Sequence, residues 1–417
     1  LIDFAGVKIF ESATVDTNIL LFAKAPNEHK TWCAVTNKQN KDSVKNLSVF
    51  VQQSGSECEF SNSDSWVILS PIEQSIKRKI EAVGTPLKDW DINIYRGVLT
   101  GYNEAFIIST EKRNEILANC QTEDERTRTA ELIRPILRGR DIKRYGYNWA
   151  NLWLINTHNG IRGKLERVHI EDYPAIKAHL DQYWDRISKR ADKGDTPYNL
   201  RNCAYLEDFS KQQIVWIELS DEPKFSYVQN VMSVNTVFFL TGEHVLHILG
   251  LLNSKLITWY FKHCIGTTSG VGTNRWLKYT IEQIPIAPIN IGIEQLVNQI
   301  CSNLDTTIDR KIDDMVCKQY GLDEEEISFI VNHLEDFSKP KIIYPNMTKY
   351  MPFVYDESKF LTNQKCFIIT GGCMAYLTAF FNSSIFKFCF RDSFPELQGG
   401  TRELSKIFFD KIPIKKI

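Results

Sequence analysis

The chain has 417 residues, which is too long for a single core and suits two or three domains of about 100–200 residues each. Hydrophobic residues make up 43% of the chain and charged residues 24%, as in folded globular proteins rather than disordered ones. The formal net charge of −1 gives no overall basic field. No apolar run reaches about 18 residues, so we expect a cytoplasmic protein without a membrane-spanning helix or a membrane partner.

The sequence also indicates whether the chain binds a metal and whether it is part of a longer protein. The ten cysteines include no C-x-x-C pair, so we expect free thiols in a reducing compartment and no structural zinc. His244 and His247 form an H-x-x-H among aliphatic residues, without the acidic or cysteine neighbours that a metal site needs. The sequence starts at Leu1 in strand-like residues, with neither an initiator Met nor a signal peptide. We expect it to be a piece of a longer protein.

The elements predicted in the first 290 residues alternate between short strands and helices. Alternating patterns predict strands at 9–10, 18–22 and 66–69, and apolar residues at helical spacing predict a helix over 72–83. A turn-rich aromatic stretch starts at Asp91 and leads through a polar helix to a basic segment. Residues 165–210 are polar and we interpret them as mobile; a β-rich segment then runs to Ile289.

A long amphipathic pattern follows the β-rich segment. Apolar residues recur every three or four positions between Ile293 and Val316, which predicts one helix over 293–320, about 42 Å long. Gly321 stands where a C′ residue belongs, and a second helix is predicted to start near Asp323. We interpret the long helix as a spacer that fixes the distance between two equivalent surfaces, as a bipartite linear target would require.

An internal repeat joins the parts on either side of that helix. Residues 211–289 resemble residues 339–414 at an offset of 128 or 129. The matched stretches are KQQIVWIELS with KPKIIYPNMT, Phe225 and Tyr227 with Phe353 and Tyr355, Asn235 with Asn363, VFFLTG with CFIITG, LLNS with FFNS, Gly272–Thr273 with Gly400–Thr401, and EQIPI with DKIPI. Seven matches in one register indicate a duplication of a β-rich unit.

The basic segment is a candidate for phosphate contact. Its cations lie around Gly139, ahead of Tyr145, Tyr147 and Trp149; they are Arg138, Arg140, Lys143 and Arg144. Arginine makes bidentate contacts to phosphate, and aromatic rings can approach sugars. A solvated charged turn flanked by core aromatics is the alternative. We favour phosphate contact because Asp141 is the only acidic residue in 134–164.

Two glycine-containing loops occupy equivalent places in the repeat. They are CIGTTSGVGTNRW at 264–276 and RDSFPELQGGTREL at 391–404. Arginine reads guanine, Asn and Gln read adenine and Thr reads either, while glycine permits close backbone approach. The base-reading candidates are Thr267, Thr268, Asn274 and Arg275 in the first loop, and Gln398, Thr401 and Arg402 in the second. The alternative is a pair of hairpin turns whose polar residues face water.

No motif for catalysis is found in the sequence. The chain contains no G-x-x-x-x-G-K-[ST], no G-x-G-x-x-G, no Asn-Pro-Pro-Tyr and no G-x-S-x-G. We therefore predict no catalytic residue, no metal site and no cofactor within this chain.

Six stretches of the chain form a recognisable set: LIDFAGVKIFESATVDTNILLF, GTPLKDWDINIYRGVLTGYNEAFII, ELIRPILRGRDIKRY, IPIAPI, KQYGLDEEEI and KPKIIYPNMTKYMPFVYDE. Together they resemble the C-terminal part of type IIG restriction-modification enzymes, adenine-specific DNA methyltransferases that carry a TaqI-like C-terminal specificity domain. The resemblance implies that residues 1–24 are the last strands of a methyltransferase domain whose S-adenosylmethionine site and catalytic motif lie upstream. It further implies that the whole protein methylates adenine N6 of a flipped base, with a possible Mg²⁺-dependent nuclease.

From the residues and the resemblance together we predict an α+β protein in four parts. These are a methyltransferase remnant and linker (1–84), a first recognition lobe (85–290), a helical spacer (291–337) and a second lobe (338–417). The predicted partners are double-stranded DNA and the missing N-terminal domain. Tyr95, Arg96, Tyr102 and Asn103 are second-line DNA contacts. Two alternatives stay open: a separate specificity subunit like those of type I systems, and a protein-interaction scaffold that oligomerises through the acidic helix.

Overall fold

The computed structural model divides the chain into two compact units, Leu1–Val331 and Asn332–Ile417. It describes residues 1–4, 17–26, 29–36, 46–60, 66–220, 222–269, 273–333, 340–345, 347–348, 350, 352–357, 366–370, 373–393 and 401–404. Helices and several small sheets are mixed, so the predicted α+β class is confirmed. Among the described residues, no helix is long and apolar enough to cross a bilayer.

The first 84 residues hold a small mixed sheet. Its elements are β1 (Ile2–Asp3), β2 (Asn18–Ile19), β3 (Lys30–Val35), α1 (Leu47–Ser54), β4 (Gly55–Glu59) and α2 (Pro71–Val83). The strand order is β2-β1-β3-β4, with β1 parallel to β3 and the other pairs antiparallel. Helix α2 agrees with the predicted 72–83; the Ser70 N–H donates to the Glu73 carboxylate over 2.7 Å and closes its first turn.

Two strand predictions in this region are wrong. The strand predicted at 18–22 ends at Ile19, and the side chains of Leu21 and Phe22 are 82% and 89% exposed. Residues 66–69 form no strand, although Leu69 is buried. Apolar side chains alone do not make a strand, because a strand also needs a neighbour whose backbone groups can pair with it. The strand predicted at 9–10 lies outside the described residues.

Residues 85–210 build a second sheet with helices around it. Its elements are β5 (Thr85–Pro86), β6 (Ile92–Arg96), α3 (Asn103–Phe106), β7 (Ile107–Ser109), α4 (Thr110–Ala118), α5 (Glu123–Leu132), β8 (Ile133–Leu137), β9 (Leu152–Ile155), α6 (Pro174–Asp181) and α7 (Trp184–Ile187), with 3-10 turns at Leu87–Asp89, Gly139–Asp141, Ile170–Asp172 and Leu206–Ser210. Strands β7, β9 and β8 pair in that order, and a large apolar core lies against them.

The interpretation of residues 165–210 as mobile is wrong. The Arg190 guanidinium is buried there and lies 4.4 Å from the centre of the Phe106 ring. It donates to the backbone carbonyls of Pro197, Asn199 and Thr100. The segment is therefore packed although its composition is polar, because the buried Arg190 guanidinium is hydrogen bonded to backbone carbonyls around it.

Residues 212–286 add an antiparallel sheet covered by a buried helix. The elements are β10 (Gln212–Ile217), β11 (Ser226–Gln229), β12 (Met232–Ser233), β13 (Val237–Gly242), α8 (Val245–Asn253), α9 (Lys255–Tyr260), β14 (Thr267–Ser269), β15 (Thr273–Arg275), α10 (Lys278–Ile281) and β16 (Pro285–Ile286); a π-helical turn, Phe261–Ile265, continues α9. Strands β11, β10, β13 and β6 pair in that order. Strand β12 extends the preceding sheet, and β16 pairs with β5.

The prediction of a single helix over 293–320 is wrong in one respect, because two separate helices cover this range. The structure has α11 (Ile291–Ser302), α12 (Thr306–Gln319) and α13 (Glu324–His333). Asn303 is extended, and the Asp305 carboxylate accepts from the Thr307 N–H over 2.7 Å, which starts a new helix. Apolar Leu304 continues the periodicity but is 66% exposed. Gly321 has φ +71°, as its predicted C′ role requires, and α13 starts near Asp323 as expected.

Helix α11 packs on α8 through a close approach at Gly250. A Cβ built on Gly250 would lie 2.8 Å from methyl groups of both Ile293 and Val297. The two histidines of the H-x-x-H serve this packing: His247 hydrogen bonds to the Ala287 carbonyl at 3.0 Å, and His244 to the Glu294 carboxylate at 2.9 Å. The first lobe and α11 therefore share one core.

The second unit contains the other half of the duplication. Its elements are β17 (Lys341–Pro345), β18 (Met347–Thr348), β19 (Val354–Asp356), β20 (Cys366–Thr370), α14 (Met374–Phe381), α15 (Ser384–Ser393) and β21 (Arg402–Glu403). The sheet order β19-β17-β20 reproduces β11-β10-β13 of the first unit. Each following helix starts from a left-handed residue, His244 (φ +52°) or Cys373 (φ +57°).

A repeated hydrogen bond strengthens this correspondence. The Asn253 side-chain amide donates to the Phe225 carbonyl over 2.9 Å, and the Asn382 amide donates to the Phe353 carbonyl over 2.8 Å. The same asparagine thus ties the end of the first helix to the second strand in both units. The repeated sequence folds in the same way twice.

The two copies differ at one buried pair of neighbouring strand positions. In the first unit Gln213 lies opposite Val228, and its amide donates to the carbonyls of Phe209 and Val231. In the second unit Lys341 lies opposite Asp356; both are buried and form an ion pair. A neutral pair has therefore been replaced by a charged one within the same backbone frame.

A partly buried ion pair holds the basic segment against the helices. The Arg144 guanidinium donates to the Asp309 carboxylate of α12 and to the Asn253 carbonyl of α8, the latter over 2.7 Å. Next to it, the Lys255 N–H at the start of α9 donates to the Asp313 carboxylate over 2.8 Å. This cluster joins the turn after β8 to three helices.

Removing one member of the Lys341–Asp356 pair should destabilise the second unit more than replacing both. We expect Lys341→Gln to lower its free energy of unfolding by about 3–5 kcal/mol, because a buried carboxylate loses its cation. The double variant Lys341→Gln/Asp356→Val, which copies the first unit, should recover most of that loss. Hydrogen exchange of peptides from β17 and β20 measures the effect. Equal losses in the single and double variants would contradict it.

Asp313 should make stability depend on pH in an unusual direction. Burial raises the pKa of its carboxyl from 3.8 to about 6. Its contribution is therefore greatest below pH 3.8 and is lost as the pH rises through 6. We expect wild type to lose up to about 3 kcal/mol relative to Asp313→Asn between pH 4 and 7. Urea unfolding across that range measures this difference, and Asp314→Asn on the exposed face of α12 is the control.

Candidate nucleic-acid interface

Arg138, the first of the predicted phosphate contacts, forms an ion pair with Asp141 in the 3-10 turn after β8. Arg138 donates to both carboxylate oxygens of Asp141, over 3.1 Å from Nε and 2.8 Å from Nη2. Burial acts to raise the pKa of Asp141, but the hydrogen bonds from Arg138 outweigh it and lower that pKa overall. Arg138 therefore stabilises its own turn.

The four predicted phosphate residues divide into two groups. Arg140 and Lys143 are exposed, and neither has an ion pair among the described residues. Arg144 contacts Asp309 and Asn253, although its side chain is still 32% exposed. A guanidinium that loses part of its water takes acceptors from the protein. The phosphate contacts of all four residues stay predictions.

The first glycine loop forms a short hairpin anchored by two tryptophans. Strands β14 and β15 pair Thr267 with Arg275 and Thr268 with Asn274. Directly after β15, the Trp276 ring stacks on Phe261 at 3.8 Å, and its indole N–H donates to the Ser220 carbonyl. The Trp216 indole donates in turn to the Trp276 carbonyl over 2.9 Å. The hairpin thus emerges from a fully packed base.

Within this hairpin the predicted base readers are placed differently. Asn274 is 6% exposed, so its amide lies against the protein and not on an open surface, contrary to the base-reading role expected of it. The Ser220 N–H donates to the Asn274 carbonyl over 3.2 Å, which draws the strand onto the end of β10. The side chain of Arg275 is 42% exposed and lies on the surface.

Two arginines from distant parts of the chain meet at Glu218. The Glu218 carboxylate accepts from Arg275 at 2.7 Å and lies 3.4 Å from Arg96. Arg96 belongs to β6, and its guanidinium covers the Phe238 ring at 4.6 Å. Sequence analysis named both arginines separately but missed Glu218, whose only signal was its place directly after a strongly apolar strand.

The other second-line candidates do not join this group. The Tyr95 ring lies on the opposite face of β6 from Arg96 and stacks on Tyr205 at 4.2 Å. The Tyr102 hydroxyl donates to the Glu104 carboxylate, and the side-chain amide oxygen Oδ1 of Asn103 accepts from the Thr100 hydroxyl. Asn103 is exposed and Tyr102 half-buried, and the DNA-contact roles of Tyr95, Tyr102 and Asn103 stay predictions.

The second unit places its glycine-loop arginine one position away from that of the first. Strand β21 pairs with β18, with Arg402 opposite Thr348 and Glu403 opposite Met347. Arg275 forms a bridge with Leu219 in the first unit, and in the register that matches Gly272–Thr273 with Gly400–Thr401 its counterpart is Glu403, while Arg402 corresponds to Asn274. The Arg402 guanidinium lies 6.0 Å from the centre of the Phe390 ring. Thr401 precedes it, and Gln398 lies outside the described residues.

Two cavities open on the first lobe, one of them beside Arg96. One, of about 340 Å³, is bordered by Arg96, Arg201 and Tyr205; the other, of about 400 Å³, is bordered by Arg128 and Arg134. Asn156 and His158 line both, and burial lowers the pKa of His158. Sequence analysis did not single out Asn156 or His158, because no motif marks them. No cluster of possible metal ligands occurs in the described part of the chain.

The sequence and fold were compared with known proteins. Residues 134–286 and 311–414, more than half of the chain, match the family described as the TaqI-like C-terminal specificity domain. Among solved structures, the chain is similar to the type IIL restriction-modification enzyme MmeI in complex with DNA (12% identity, TM-score 0.43, 73% of this chain and 41% of that one). It is also similar to the type IIG restriction endonuclease BpuSI (13%, TM-score 0.39, 70% and 40%).

This chain spans about two fifths of the length of those two enzymes. The family match covers both copies of the repeat, the basic turn and both glycine-loop arginines. It confirms the resemblance drawn from the sequence motifs. The chain belongs to the family of TaqI-like C-terminal specificity domains.

Proposed function

We propose that this chain chooses the DNA sequence on which a type II restriction-modification enzyme acts. The observation that carries the proposal is the duplication within the matched family region. Each copy presents one arginine, Arg275 or Arg402, from a strand that follows a glycine loop. Arginine is the side chain that most often reads guanine in the major groove.

In this proposal the exposed cations of the basic turn hold the DNA backbone. Arg140 and Lys143 contact phosphates, which orient the duplex without reading it. Arg275 and Arg402 contact base edges, and Thr401 assists Arg402. Thr267, Thr268 and Gln398 stay predicted base contacts. The near-zero net charge of the chain means that attraction to DNA must come from such local groups.

We further propose that the whole protein methylates adenine N6. The proposal rests on the resemblance of residues 1–24 to the last strands of a methyltransferase domain. S-adenosylmethionine and the reacting groups would then belong to the upstream domain, and Mg²⁺ to a linked nuclease. The residues of this chain would choose the target and would position the duplex for the base to be flipped.

Fluorescence anisotropy with a random-sequence duplex between about 50 and 200 mM salt, followed by selection of bound sequences, tests the function. Steep salt dependence with an enriched motif supports sequence-specific recognition. Binding without a motif would contradict it for this chain alone. Absence of binding, together with salt-independent oligomers in size-exclusion chromatography, would favour the scaffold alternative. Recovery of a separate methyltransferase partner would favour the type I-like subunit.

Arg140→Ala should weaken binding to all sequences alike. Loss of one phosphate contact should reduce the slope of log affinity against log salt by about 1. The measurement is the same anisotropy titration on the selected and random duplexes. Arg126→Ala, an exposed arginine on α5, is the matched control and should leave the slope unchanged. An unchanged slope for Arg140→Ala would remove that residue from the phosphate contacts.

Arg402→Ala should relax the preference at one base pair by about 1–3 kcal/mol, because the bidentate contact to a base edge is lost. Selection of bound sequences with wild type and variant measures this change position by position. Arg275→Ala is the matched variant from the other copy, and it should relax a different base pair. If both variants keep every preference, the glycine-loop arginines do not read bases.

A further inference from the structure

The Glu218 carboxylate lies between two guanidiniums that come from opposite ends of the first lobe. One oxygen accepts from Arg275 Nη2 at 2.7 Å, and the other lies 3.4 Å from Arg96 Nη2. Glu218 is itself held in place, since its backbone carbonyl accepts from the Trp276 N–H over 2.7 Å. The backbone of Glu218 is therefore fixed by the packed base of the hairpin, and its carboxylate pairs with both arginines.

We propose that Glu218 is a positioning residue for base recognition: it holds Arg275 in its reading conformation and keeps Arg96 and Arg275 from acting as free phosphate-binding cations. This inference rests on the proposed function and adds to it a residue that does not touch the DNA. It concerns the first unit, where Arg96, Glu218 and Arg275 meet.

The geometry leaves the rest of the Arg275 guanidinium available to a base. Only Nη2 is engaged by Glu218, and the described residues offer Arg275 no second hydrogen-bond acceptor. A free arginine samples many rotamers, and ordering them on binding weakens the complex. Anchoring one nitrogen to a rigid acid removes much of that freedom beforehand, while the other nitrogens can still face a guanine edge.

The net charge of the group explains why an acidic residue lies between Arg96 and Arg275. Two guanidiniums and one carboxylate carry a net charge of +1, whereas the arginines alone would carry +2. Without Glu218, both side chains would be drawn to any nearby phosphate, and this would strengthen binding to every sequence. The acid thus lowers affinity for random DNA and raises the contrast between right and wrong sequences.

Loss of Glu218 should therefore move two measurements in opposite directions. In Glu218→Ala, affinity for a random duplex should rise about threefold, with a salt slope steeper by up to about 1. Discrimination at the base pair read by Arg275 should fall about tenfold. A residue that merely stabilised the fold would lower both affinities together. Glu218→Gln keeps one acceptor oxygen and should fall between wild type and Glu218→Ala.

Anisotropy titrations and selection of bound sequences on the full chain test the inference. Glu57→Gln is the matched control, since Glu57 is an exposed acid paired with Lys30 at 2.9 Å in the N-terminal sheet. It should change neither discrimination nor the salt slope. The double variant Glu218→Ala/Arg275→Ala should discriminate no worse than Arg275→Ala alone, because Glu218 acts through that arginine. The preference due to Arg402 should be unchanged in every Glu218 variant.

The outcomes separate this inference from the proposed function. If wild type selects a motif and Glu218→Ala keeps every preference, the inference is overturned and the function stands. A parallel fall of specific and random binding, with a lowered melting temperature, also overturns it. If Glu218→Ala does not fold, Glu218→Gln decides by the same criteria. If wild type selects no motif, the proposed function fails, and the inference fails with it.

Discussion

The partly buried side chain of Arg144 fixes the position of the basic turn in the first lobe. It is bound at once to a carboxylate of α12 and to the last turn of α8, so the turn cannot leave the helices without breaking both contacts. The neighbouring Tyr145 has φ +63° and donates its N–H to the Phe225 carbonyl. Arg140 and Lys143 are consequently presented from a rigid backbone, although their own side chains are exposed.

The sequence correctly predicted those elements that are determined by residues close to them in the chain. Helix α2 has its capping residues and apolar stripe within 14 positions, and Gly321 meets a backbone requirement of its own helix end. The repeat was also detectable in the sequence, because both copies use similar residues at the same positions to form the same packing. The break at Asn303 was not predicted, since Leu304 sustains the apolar period while the adjacent polar residues favour a new cap.

The candidate site was only partly visible, for a physical reason. Sequence shows which residues carry charge but not which charges face each other across the fold. Arg144 looks the same as Arg140 in the sequence, yet a tertiary contact turns it toward Asp309, 165 residues away. Arg138 instead pairs with Asp141 within its own turn. Glu218 lies 57 residues from one arginine and 122 from the other, so no motif could have joined them. Burial and partners, which depend on the whole fold, decided these roles.

The different buried pairs in the two copies limit how their parts can be exchanged. A β10 strand placed in the second unit would bring Gln213 opposite Asp356, and a β17 strand placed in the first would bring Lys341 opposite Val228. Either exchange would bury a charge that has no counter-ion. Recombination between the copies is therefore tolerated only when both neighbouring strands move together, so new specificities built by shuffling would arise from whole lobes.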